Sequence, residues 1–130
     1  ACYGRGGAKP AVTDADLILG KLDPDNFAGG SIKLNKSDSH KALETVLGAP
    51  LDMDAQTAAF GLAEVVDENM ANAARVHAVE NGEDLADYTM IAFGGAAPLH
   101  AGGCRLGHRV PACAVQFRSQ QIGLYDIGGV

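Results

Sequence analysis

From Asp54 to about Val79, apolar residues return at the spacing of one helical face: Ala55, Ala58, Ala59, Leu62, Val65, Val66, Ala73 and Val76. Most are small, and Ala58 with Gly61 predicts that a neighbouring element approaches this helix closely. Asn69, Asn72 and Arg75 fall at i, i+3 and i+6, a polar line expected to face water, and Asn81-Gly82 ends the helix. Two shorter helices precede it. Val12 to Gly20 carries Thr13 or Asp14 as its cap and Gly20 as its stop. Ser37 to Gly48 is opened by Ser37 and striped by Leu43, Val46 and Leu47. His40 falls on the polar side of that second helix. After a connection from Glu83 to Tyr88, the run Met90-Ile91-Ala92-Phe93 reads as a strand buried on both faces. A long helix, a buried strand, a glycine turn and a further helix make an α/β architecture. The strand's sheet partners are expected N-terminal to this segment.

Beyond His100 the pattern fades. Gly103-Cys104-Arg105-Leu106-Gly107-His108-Arg109 reads as a broken helix, because glycines weaken a helix interior. Only Ala112 to Val115 suggests another short strand. The expected division is therefore 1–102 as one domain and 103–130 as a divergent tail, for which a frame change or truncation near Gly103 is one explanation.

The chemistry of this pattern concentrates at the strand end. In Phe93-Gly94-Gly95-Ala96-Ala97-Pro98-Leu99-His100, the two glycines allow a sharp turn and a close approach to a ligand. Pro98 suits the first position of a helix, which makes Ala97 the N-cap, a residue with no side-chain oxygen to satisfy the first-turn amides. Those amides are then available to an anion, and a nucleotide fits the position. The opening turn, Gly4-Arg5-Gly6-Gly7, lacks the pattern of a phosphate loop. Arg5 there is either an anion contact or a solvated loop charge, the latter being the simpler reading. Asp14 is either a catalytic carboxylate or a helix cap, and capping explains it more economically.

Charge and composition narrow the partners. A formal net charge of −6 argues against nucleic acid or an anionic membrane, and no run resembles a signal peptide or a membrane span. The expected setting is cytoplasmic, with a small-molecule substrate. Cys2, Cys104 and Cys113 have no metal-type spacing and are read as free thiols. The four histidines are scattered, so no metal site is expected from this chain alone. The chain opens inside a glycine-rich turn and stops after Ile127-Gly128-Gly129-Val130, as a piece of a longer polypeptide would.

Three segments together resemble the hydantoinase/oxoprolinase family, specifically its hydantoinase A-type subunits. They are Ala1-Cys2-Tyr3-Gly4-Arg5-Gly6-Gly7 with Pro10 to Ala15 and Leu19-Gly20; Asn69-Met70-Ala71 with Ala74-Arg75; and Phe93 to Ala101. Cys-Tyr-Gly-Arg-Gly-Gly looks more like the hydantoinase branch than the 5-oxoprolinase branch, while the acetone and acetophenone carboxylase subunits share much of the pattern. Val110-Pro111 echoes a later turn of the family.

The resemblance implies an ATPase subdomain of the actin, Hsp70 and acetate kinase type, partial in this chain. It implies that Gly94, Gly95, Ala96 and Ala97 contact ATP, with Mg²⁺ held by residues upstream. His100 would stand near the cleft, with Asp14 and Arg5 as further cleft candidates. The family more often has glycine at Ala97. The implied reaction is ATP-driven opening of a cyclic amide such as a hydantoin or 5-oxoproline, by phosphorylation of the carbonyl oxygen. A B-type hydantoinase subunit or a fused equivalent is the implied partner. The rivals are a ketone carboxylase subunit and a non-catalytic truncated module. A sugar or acid kinase finds no support in the opening turn.

Overall fold

The computed structural model describes residues 1–108, 113–116 and 122–125. These fall into two compact units, 1–65 and 66–130.

In the first unit, α1 (Val12–Ile18) starts after the N-cap Ala11, so Thr13 and Asp14, expected as its cap, lie inside the first turn, while Gly20 follows its C-cap Leu19 as expected. Asp14 sits in its first turn and accepts from the Ala11 N–H at 2.8 Å, closing the helix start from within. α2 (Lys36–Leu43) is capped by Asn35, not by Ser37. The Asn35 side chain accepts from the Ser37 and Asp38 N–H groups at 3.0 and 3.1 Å. Asn35 wins because the cap must precede the amides it serves, and Ser37 lies already inside the first turn. The helix then widens into a π-type segment, Glu44–Gly48, and a final turn, α3 (Ala49–Leu51). His40 is exposed, with its Nδ1 3.6 Å from Glu44.

The long helix is α4 (Ala55–Glu80), opened by Asp54, whose carboxylate accepts from the Thr57 N–H at 2.6 Å. Ala55 and Ala59 pack with Ala15 and Leu43, flanked by Ile18, Leu19, Leu47 and Leu62. A second apolar cluster joins Cys2, Leu17 and Leu34, with Leu22, Phe27 and Ile32 around it. The buried row of α4 steps by four residues: Ala55, Ala59, Ala63, Asp67 and Ala71. Val65, Val76, Ala73 and Gly61, expected on the packed side, are exposed instead. A row at every fourth residue drifts around a 3.6-residue helix, and these positions fall off its edge. Asn69 and Asn72 face water as expected.

In the second unit, β1 (Met90–Phe93) is followed by α5 (Ala97–His108), then by β2 (Cys113–Gln116) and β3 (Ile122–Tyr125). β1 pairs parallel with β2, and β2 pairs antiparallel with β3. One partner of β1 therefore lies downstream, within this chain and through a helical crossover, whereas the sequence alone pointed to partners upstream. The Ala112–Val115 reading falls close to β2.

β1 is not buried on both faces. Ala92 is buried and packs with Met90 and Ala101 of α5, whereas Ile91 and Phe93 are 67% and 69% exposed. Alternation along the strand turns those two side chains away from the α5 face. α5 also runs unbroken through Gly102 and Gly103, across the expected 102/103 boundary. Val110-Pro111 and the rest of the 103–130 tail outside α5, β2 and β3 lie outside the described residues. No helix among the described residues is long and apolar enough to cross a membrane.

Candidate functional site

The turn between β1 and α5 is open to solvent. Gly94, Gly95, Ala96 and Ala97 are all exposed. Gly94 has a φ of +95°, a conformation that a side chain disfavours, so the turn depends on glycine at that position. α5 begins at Ala97, which moves the expected cap back to Ala96 and Pro98 to the second helical position. The Leu99 N–H donates to the Ala96 carbonyl at 3.0 Å. Among the described residues, no side chain accepts from the amides of Gly94, Gly95, Ala96 or Ala97. An added Cβ at Gly94 or Gly95 would meet nothing within 4 Å. This geometry suits an anion: backbone donors at the start of a helix, with no competing side chain over them.

Behind the turn stands a buried polar pair. His100, in the first turn of α5, is 8% exposed, and Asp67 of α4 is 7% exposed. The His100 Nδ1–H donates to Asp67 Oδ1 at 2.7 Å, since an ionised carboxylate oxygen accepts. Asp67 also explains a glycine. A Cβ at residue 103 would lie 2.0 Å from Asp67 Oδ2 and 2.7 Å from its Cγ. His100 and Gly103 are three apart on one face of α5, and the carboxylate fills the notch between them. The helix tolerates glycine here because the missing side chain leaves room for Asp67. Sequence reasoning overlooked Asp67. Its signal was a lone aspartate in a row of alanines spaced by four.

The first unit holds the other two candidates. Asp14 is fully buried and accepts four bonds: from the Ala1 nitrogen at 3.0 Å, the Cys2 N–H at 2.7 Å, the Ala11 N–H at 2.8 Å and the Ser39 hydroxyl at 2.7 Å. Burial alone would raise its pKa, but the Ser39, Ala11, Ala1 and Cys2 donors together hold it at about 2. Asp14 thus ties the opening turn to α1 and α2, and its oxygens are committed to that task. Burial, then the nearby Asp14 carboxylate, pushes the Cys2 thiol up, which keeps it protonated. Arg5 is exposed and lines a shallow cavity of about 370 Å³ with Ala1, Tyr3, Gly7 and Ile32. The structure therefore brings Gly94 to Ala97 and His100 together in the second unit, while Asp14 and Arg5 belong to the first. Among the described residues, no group of three His, Cys, Asp or Glu side chains is arranged to hold a metal ion.

A parallel strand–helix–strand unit with an exposed glycine turn at its strand end is an α/β arrangement of the kind that receives ligands at strand carboxyl ends. The sequence profile of the hydantoinase/oxoprolinase family matches residues 1–122, and the chain belongs to that family. It is similar to the acetophenone carboxylase gamma subunit of Aromatoleum aromaticum, 40% identical over 80% of this chain and 14% of that one. It is also similar to the caprolactamase subunit alpha of Pseudomonas jessenii, 35% identical over 99% of this chain and 18% of that one. The crystal structure of ATP-dependent caprolactamase from Pseudomonas jessenii superposes with a TM-score of 0.81 at 34% identity, covering 88% of this chain and 16% of that one. The chain thus spans less than a fifth of the length of the relatives it matches.

Proposed function

We infer that this chain supplies one wall of the ATP site in an ATP-dependent cyclic amidohydrolase, opening rings of the hydantoin or 5-oxoproline type. The observation that carries the reading is the exposed turn from Gly94 to Ala97 in a member of a family with ATP-dependent relatives. ATP bound there would supply a phosphoryl group able to turn an amide carbonyl oxygen into a leaving group. The residues present fit a nucleotide as backbone donors: Gly94 shapes the turn, and residues 94–97 are exposed. His100 stands behind them. Mg²⁺ would be held by acidic residues elsewhere in the polypeptide. On this reading the fold is part of an actin, Hsp70 and acetate kinase-like ATPase subdomain. A B-type subunit or a fused equivalent completes the enzyme, and the setting is cytoplasmic.

The second reading is an ATP-dependent ketone carboxylase subunit, favoured by the 40% identity to an acetophenone carboxylase subunit. The two separate in one assay. The intact polypeptide, with its partner subunit, is supplied with ATP and either hydantoin and 5-oxoproline, or acetone and acetophenone with bicarbonate. The amidohydrolase reading expects ring opening coupled to ATP consumption. Ketone-dependent ATP consumption with fixation of bicarbonate favours the carboxylase, and no nucleotide turnover with either set overturns both.

A further inference from the structure

Asp67 holds α5 at two places, although nothing in the proposed chemistry requires it to touch a ligand. Its Oδ1 accepts from His100 Nδ1 at 2.7 Å, and its Oδ2 occupies the space a Cβ would claim at Gly103. The two positions lie one helical turn apart, so the carboxylate restrains both the rotation of α5 about its axis and its slide along it. His100 belongs to the same first turn as Ala97, directly after Gly94, Gly95 and Ala96. Whatever fixes that turn also fixes the direction of the amides ahead of it. Among the described residues, the apolar packing of α5 on β1 is Ala101 against Ala92, with Met90 beside them. Methyl-to-methyl contact sets distance well and rotation poorly, whereas a short hydrogen bond seated in a notch sets both. A carboxylate is also a costly choice for a buried row otherwise made of alanine, unless its bonds perform such a task.

We propose that Asp67 is a positioning residue for nucleotide binding, acting through His100 and the Gly103 notch to aim the amides of residues 94–97. The proposal rests on the reading of that turn as an ATP wall. Asp67 itself does not meet the nucleotide; it holds the helix whose first turn does. Its amide isostere fits the same notch and keeps an oxygen acceptor for His100, so Asp67→Asn should preserve most of the effect, and Asp67→Ala should lose it. Gly103→Ala should displace the carboxylate without removing it.

The test uses the intact polypeptide and the fluorescent N-methylanthraniloyl ester of ATP, with Kd and thermal melting measured together. Asp67→Ala is expected to weaken binding roughly ten-fold, Gly103→Ala several-fold, and Asp67→Asn less than about three-fold. Gly48→Ala serves as the control for general loosening. A Cβ there would lie 2.6 Å from the Met53 carbonyl oxygen, so it lowers the melting temperature from the other unit and should leave Kd unchanged. If Asp67→Ala fails to fold, Gly103→Ala decides alone. Equal Kd values for wild type, Asp67→Ala and Gly103→Ala overturn the positioning role while the ATP reading stands. The same holds if Gly48→Ala weakens binding as much as they do. Wild type that binds no nucleotide removes the ATP reading, and this proposal with it.

Discussion

Two glycine-rich turns, one in each unit, look alike on paper and are treated in opposite ways. At the opening turn, Asp14 reaches directly to the backbone nitrogens of Ala1 and Cys2, just ahead of Gly4, and its carboxylate ties the turn to α1 and α2. At the second turn, Asp67 stands one helical turn away and bonds to His100, and among the described residues the amides of residues 94–97 have no side-chain acceptor. The difference teaches that a buried aspartate near a glycine turn is informative only once its partners are known. One closes its turn as structure; the other supports a turn that stays open.

The largest expected effect tests the closed turn. Asp14→Ala strands four buried or half-buried donors and should lower stability by about 3–4 kcal/mol in urea denaturation. Asp67→Ala removes the bond to His100 and should cost about 2 kcal/mol. Equal losses would erase the distinction between the two aspartates.

Acid titration sharpens the same point. The donors around Asp14 depress its pKa from the ordinary carboxylate range to about 2, so its contribution is fully present above the unfolded pKa and disappears as pH falls through the folded one. Stability should therefore drop by about 2 kcal/mol between roughly pH 5 and pH 2, and Asp14→Asn should flatten that slope. An unchanged slope in Asp14→Asn would assign acid sensitivity to other carboxylates.

Within the open turn the two glycines should differ. Gly94→Ala must adopt a φ of +95° and should cost about 1–2 kcal/mol, read as a lowered melting temperature. Gly95→Ala meets open space at an ordinary φ and should change stability by less than about 0.5 kcal/mol. Its methyl nevertheless projects at the proposed nucleotide wall, so an effect on ATP affinity without one on stability is expected there.

The readability of each part followed the range of the interaction involved. α1 and its glycine stop, the Asp54 cap and the end of α4 at Asn81-Gly82 depend on neighbours within a turn, and the residue order alone conveys them. The Asn35 cap was misassigned by two positions for want of backbone angles. The interaction between Asp67 and His100 spans 33 positions, which no helical period can register. Gly103 reads as a helix breaker until its neighbour is known to be a carboxylate, and then as the reason the helix fits. The exposed side of β1 was misjudged for a related cause. Ile91 and Phe93 are apolar enough for a doubly covered strand, but the covering of each face is a tertiary fact. The open turn itself was legible, because diglycine followed by Ala-Ala-Pro leaves few side chains with which to close it.

Hydrogen–deuterium exchange of the backbone from residue 94 to residue 97, in the intact polypeptide with and without a non-hydrolysable ATP analogue, tests the central claim most directly. The account predicts fast exchange in the free protein and a slowing of roughly ten-fold or more when the analogue binds. Saturable binding of the analogue with exchange unchanged across these residues would contradict it.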